Sequence, residues 1–183
     1  PFCEWDDVRQ QEGCEEASAL MAVSWSRGVS ISAAQAKQSI IDMSEFQRSA
    51  YGYFIDTSAA DTYQRLLMEY LGHREAVLHQ EVDAHDIIDS LADGQVVLVS
   101  VNGQKLDNPN FQGNGPLRHM IVVYGYDEVH GEFMTHEPGT RQGSGWRYAF
   151  ATLQSAMNDY TSGEYEPLPQ PPRTAMITVS RAQ

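Results

Sequence analysis

The hydrophobic patterns along the chain predict an α+β fold, with helices in the first half and strands in the second. Three observations point that way. From Cys14 onward, apolar residues recur every three to four positions in four successive segments separated by Gly or Ser. At Gln95 the character changes to runs of β-branched and apolar residues of strand length, beginning with "VVLVSV". Near the end, the proline-rich "SGEYEPLPQPPR" precludes regular structure and hands over to the alternating "TAMITVS". The whole of 1–183 reads as a single domain, helical over about 1–94 and mainly β over about 95–183.

Taken in order, "CEEASALMAVSWSRG" places Ala17, Leu20, Met21 and Trp25 on one side of a first helix that stops at Gly28. Ser30 or Ser32 caps a second helix through Ile41, with Ala36, Ile40 and Ile41 as its apolar positions. "TSAADTYQRLLMEYLG" gives a third, carrying Tyr63, Leu66, Leu67 and Tyr70 and ending at Gly72. "VDAHDIIDSLADG" gives a short fourth, closed by Gly94. The strand "VVLVSV" is followed by a Gly/Asn/Pro-rich loop over 102–117, read either as a mobile flap or as a passive connection. "HMIVVYGYD" and "EFMTHE" form two strands joined by the turn "EVHG". "WRYAF" is a further strand leading into a helix over about 153–158. Trp5, Trp25, Tyr124, Tyr126 and Trp146 are expected in the core or at its rim.

A chain of 183 residues with 42% hydrophobic and 20% charged residues can bury one proper core but not two. No apolar run approaches the roughly 20 residues of a membrane-spanning helix. The net charge of −13 argues against nucleic acid and anionic membrane surfaces as partners, because phosphates would be repelled before contact. The same charge would favour basic peptides as substrates. The numbering begins at Pro1 without a basic and then apolar leader, so a leader was either removed earlier or never present. His73, His79 and His85 recur every six residues, which scatters them around a helix, and they are expected to be solvated. No spacing matches a zinc site, and no metal or other cofactor is implied. Cys3 and Cys14 can form one bridge at most, in an oxidising compartment; if Cys14 works as a nucleophile it is expected to be reduced.

Cys14 follows Gly13 and opens the first helix, where unpaired backbone N–H groups favour a negative sulfur. A buried structural thiol is the competing reading of that position. Glu15 and Glu16 oppose a thiolate electrostatically, and both are expected to point away from it and stabilise the helix end. Activation must then come from an imidazole. His119, at the start of a strand, would be held rigidly at the rim of the core, although a histidine bonded to a backbone carbonyl fits the position as well. An orienting group is expected on the next strand, where His136 and Glu137 precede a Pro-Gly turn; side chains alternate, so only one of the two can face His119.

The order of "QQEGCEEASALM", "GQVVLVSVNG", "RHMIVVYGYDE" and "THEPGTRQGSGWRYAF" resembles the papain-like cysteine peptidases. It is most similar to the bacterial proteins of family thirty-nine, the bacteriocin-leader or double-glycine peptidases, from Trp5 to about Phe150. The resemblance implies a papain-like fold: an N-terminal helical lobe whose central helix is opened by the cysteine, and a C-terminal antiparallel β lobe. It implies Cys14 as nucleophile, His119 as general base and Gln10 as oxyanion donor, with Gln11 as competitor. Glu137 before Pro138 stands where the family has Asp-Pro, a departure that leaves His136 or a water as substitute. The implied activity is hydrolysis of a peptide or amide bond through a Cys14 thioester, with no cofactor, in a bacterial protein that is either secreted with its leader already removed or cytoplasmic. An acyltransferase would use the same residues, with an amine replacing water. A non-catalytic binding module that kept only the cleft is the alternative from another class.

Overall fold

The computed structural model describes residues 6–163 and 167–182. Cys3 and Trp5 lie outside the described residues, and with them the expectation of a Cys3–Cys14 bridge; Cys14 carries a free thiol. The chain runs through α1 (Val8–Gln11), α2 (Cys14–Ser26), α3 (Ala33–Tyr51), α4 (Ala59–Asp61), a π-helical segment (Thr62–Tyr70), β1 (Ala76–Gln80) and α5 (Ala84–Ala92). It continues through β2 (Val96–Val101), a 3-10 turn (Gly103–Leu106), β3 (His119–Asp127), β4 (Glu132–His136), β5 (Ser144–Ala149), α6 (Phe150–Ala156) and β6 (Ala175–Val179).

The six strands form one sheet in the order β1-β6-β2-β3-β4-β5, with every neighbour antiparallel. Helices cover both faces of it. Alternate residues Leu98, Met120, Val122 and Ile177 pack with α2, α3 and the π-helical segment, whereas Val97, Val99, Ile121, Val123 and Met176 pack with α5 and α6. That double cover is why β2 is buried at all six positions and reads as an unbroken apolar run. Each fully buried Val, Leu or Ile contributes about 1.5–3 kcal/mol through the area it removes from water.

α2 is the central helix. Ala17, Ser18, Ala19 and Ala22 are small enough for α2 to lie directly on the sheet, and the Ser18 hydroxyl donates to the Met120 carbonyl at 3.2 Å. Gly13 sets its entry by close approach: a Cβ there would lie 2.6 Å from the Arg9 carbonyl oxygen and 2.8 Å from Ile40 Cγ2.

Several expectations need correction. α3 begins where Ser32 predicts, with a reciprocal capping box to Gln35, but runs to Tyr51 and ends on Gly52 at φ 86°, well beyond Ile41. Its buried stripe continues through Met43, Ser44 and Gln47. The last two are polar, so the apolar periodicity fades while the helix persists. β1 falls within the stretch expected to be helical, so helices and strands are not cleanly divided at residue 94. His79 lies on β1 and bonds the Thr178 hydroxyl at 3.0 Å, and His73 is buried instead of solvated, with burial lowering its pKa. The short α1 and the 3-10 turn within the 102–117 loop leave no periodic signal in the sequence, because each spans only four residues.

Candidate active site

Cys14 and His119 line one cleft of about 340 Å³, together with Gln11, Glu12, Asp56, Phe111, Leu117, Arg118 and Gly139. Two elements bring them there. Cys14 is the first residue of α2, and His119 the first residue of β3, on which α2 packs. Burial pushes the Cys14 thiol well above its ordinary range, and Glu15 adds to the effect, while the Met120 backbone, next to His119 in the chain, acts the other way and favours the thiolate.

Glu15 does not point away from the thiol. Its Oε2 accepts from Cys14 Sγ at 3.1 Å, and its Oε1 accepts from the Tyr160 hydroxyl at 2.7 Å. Glu16 also turns inward, accepting from Gln47 Nε2 at 2.7 Å. Both carboxyls are fully buried, and burial raises the pKa of each. The polar end of α3 therefore exists to receive Glu16, which is why Ser44 and Gln47 break its apolar stripe.

Strand alternation decides between His136 and Glu137. His136 shares a face with Val122, its partner across the β3–β4 ladder. Its ring stacks on Tyr124, with centroids 4.5 Å apart, in a separate groove beside Trp25. Glu137, one residue on, faces the other way. His119 Nε2 donates to its Oε1 at 2.5 Å, the Gly139 N–H to the same oxygen at 2.8 Å, and the Tyr148 hydroxyl to Oε2 at 2.9 Å. Asn108 Nδ2 donates in turn to the Tyr148 oxygen at 2.7 Å, tying the 102–117 loop to the site. Burial beside this carboxylate raises the Tyr148 pKa far beyond its ordinary value, so its hydroxyl stays a donor.

The Pro-Gly turn after Glu137 has a steric reason. A Cβ at Gly139 would lie 3.0 Å from Phe111 Cε1 and 3.1 Å from both Glu137 Oε1 and His119 Cε1. Phe111, from the loop, meets the imidazole edge to face at 5.7 Å between centroids. The loop thus contributes a wall of the cleft.

Gln10 and Gln11 separate sharply. Gln10 is fully buried and donates its side-chain amide to the Lys37 carbonyl at 3.0 Å, away from the cleft, whereas Gln11 is exposed and lines it. Glu12 and Asp56 add carboxyls to the cleft, and partial burial raises the pKa of both. Arg118 pairs with Asp56 at 3.7 Å. Among the described residues, no group of three or more His, Cys, Asp or Glu side chains is placed to hold a metal ion. No helix among them is long and apolar enough to cross a membrane.

Sequence reasoning missed Tyr148, Asn108, Asp56 and Tyr160. Only Tyr148 left a trace, as an inward position in the alternation of "WRYAF".

The model of the Peptidase_C39 like family matches residues 3–167. Among solved structures, a "putative C39-like peptidase from Bacillus anthracis" superposes with a TM-score of 0.63 at 16% identity, over 100% of this chain and 96% of that one. At that identity the likeness speaks for the fold. Among curated proteins, none matches the chain.

Proposed function

Because the chain belongs to the Peptidase_C39 like family, we propose that it is a cysteine peptidase, cleaving a peptide or amide bond through a thioester on Cys14 with His119 as general base and acid. One observation carries this reading: Cys14 and His119 share a cleft, and the buried Glu137 holds His119 by Nε2. That bond leaves Nδ1 as the ring nitrogen able to take the thiol proton. The arrangement is papain-like in its parts, with the nucleophile at the start of a central helix and the base on a strand.

In the acylation step the Cys14 proton passes to His119 Nδ1, and the sulfur adds to the carbonyl carbon. Glu137 stabilises the resulting imidazolium without taking its proton. The carbonyl oxygen gains negative charge opposite the Cys14 backbone N–H, which has no partner within the first turn of its helix. Gln11 supplies the second donor, in place of the buried Gln10. The imidazolium then protonates the leaving amine as the C–N bond breaks. Water, deprotonated by His119, next attacks the thioester and releases the acid and the thiol.

Incubation with a mixed peptide pool tests the reading. Cleavage products are expected with the protein and none with Cys14→Ser, whose thermal unfolding should match that of the parent. Equal cleavage by both would overturn it. Gln11→Ala is expected to lower kcat about 100-fold with little change in stability. Gln10→Ala should instead lower the unfolding temperature, because it removes a fully buried side chain and its hydrogen bond to the Lys37 carbonyl.

A second reading draws on the contact between Glu15 and the thiol, which opposes activation: a binding module that kept the cleft without the chemistry. Ordinary alkylation kinetics at Cys14, unaffected by His119→Ala, would favour that module.

A further inference from the structure

A thiolate on Cys14 and a carboxylate on Glu15 cannot share one site. Their polar atoms are 3.1 Å apart, and Glu15 is fully buried. Two negative charges at that separation, away from water, repel strongly. Yet the proposed chemistry needs the thiolate. We propose that Glu15 is a positioning residue that sets when Cys14 can react: its neutral carboxyl donates to the sulfur in the reactive thiolate–imidazolium pair, and its ionised form holds Cys14 as an unreactive thiol. The inference rests on the peptidase reading of Cys14 and His119.

The protons balance in both states. With Glu15 neutral, its O–H turns to the sulfur, the thiol proton moves to His119 Nδ1, and the Cys14–Glu15 pair carries a single negative charge. With Glu15 ionised, the S–H donates to Oε2, and transfer of that proton to His119 would place a second negative charge in the pair. Glu15 therefore acts through Cys14 and need not touch substrate.

The surroundings favour a neutral Glu15 below about neutral pH. Glu16 lies next to it on α2 and is itself buried, with Gln47 and Ser44 of α3 as its partners. Asp56, from the loop after α3, raises Glu15 further, and Arg118, at 3.7 Å from Asp56, offsets part of that charge. From beyond α6, Tyr160 donates to Oε1 and acts the other way, stabilising the carboxylate; burial, then Glu15 itself and more weakly the neighbouring Asp159, raise the Tyr160 pKa, so its hydroxyl stays a donor. His119, across the cleft, is the proton acceptor itself. The balance pushes Glu15 up to about 7, with burial as the largest cause.

The sign follows. Reactivity at Cys14 should be present below the Glu15 pKa and fall as pH rises through it, the reverse of an isolated thiol, which gains reactivity with pH.

The test is the second-order rate of Cys14 alkylation by iodoacetamide between pH 5.5 and 8.5, an assay that needs no substrate. Glu15→Gln keeps shape and a donor but cannot ionise. Its rate should match the parent's at pH 5.5 and exceed it about tenfold at pH 8, where roughly one Glu15 in ten stays neutral. Tyr160→Phe removes the donor that favours the carboxylate, so the fall in rate should move to higher pH. A rate ratio to the parent that does not change with pH, in whichever variant retains the parent's far-ultraviolet circular dichroism, overturns the inference. His119→Ala in the same assay keeps the two readings apart. If it leaves the parent rate unchanged, the Cys–His pair fails; if it lowers the rate while the Glu15→Gln ratio stays flat, only the role of Glu15 fails.

Discussion

His119→Gln lowers kcat/KM about 1000-fold while changing KM little, the span expected when a positioned acid–base group is removed. That corresponds to about 4 kcal/mol of transition-state stabilisation. The glutamine amide can still reach toward Glu137 and fill space beside Phe111, so the cleft keeps its walls. It cannot take the thiol proton, and with the pKa of Cys14 held up by burial the nucleophile stays protonated at neutral pH. Alkylation of Cys14 at pH 6 should slow in parallel, separating loss of activation from loss of substrate binding. Retained turnover in this variant would remove His119 from the mechanism.

Glu137→Ala has the second large effect, and it should appear in stability as well as in rate. Three donors converge on this fully buried carboxylate: His119 Nε2–H, the Gly139 N–H and the Tyr148 hydroxyl. Removing the acceptor strands all three, a loss of about 3–5 kcal/mol by analogy with breaking a buried charged pair. For a chain of this size that lowers the unfolding temperature by roughly 10 °C. Glu137→Gln separates the two contributions. Its carbonyl can still accept from His119 and Gly139, but its NH₂ then faces a Tyr148 hydroxyl that already accepts from Asn108. A smaller stability loss, with kcat reduced more than KM is raised, is the expected pattern. Unchanged unfolding in Glu137→Ala would show that the network contributes little.

Both effects involve residues that stand out in the sequence for different reasons. His119 is legible because a histidine at the head of a strongly apolar strand is conspicuous. From alternation alone Glu137 is one of two candidates, since one of His136 and Glu137 must face His119; the resemblance favours Glu137, which precedes Pro138 where the family has Asp-Pro. The register of β4 against β3, which puts His136 beside Val122, makes the choice. Gln10 and Gln11 differ in the same way. Adjacent residues on a short helix point about 100° apart, and the packing of α1 against α3 turned the one favoured by resemblance into the interior.

Glu15 shows where sequence reasoning runs out. Two acids in the first turn of a helix are ordinarily solvated and stabilise its positive end, and nothing local to "CEEAS" says otherwise. Their burial follows from partners far along the chain: Tyr160 for Glu15, Ser44 and Gln47 for Glu16.

By itself the sequence determined the starts of α2, α3 and α5, the strands β2, β3 and β6 and the two residue types expected to react, because caps, periodicity and turn chemistry act over a few neighbouring residues. Only the tertiary structure decided which carboxylate holds the imidazole, which glutamine reaches the cleft and which acid contacts the thiol. Those choices depend on the desolvation and pairing of polar side chains, and both are set by groups that become neighbours only when the chain is folded.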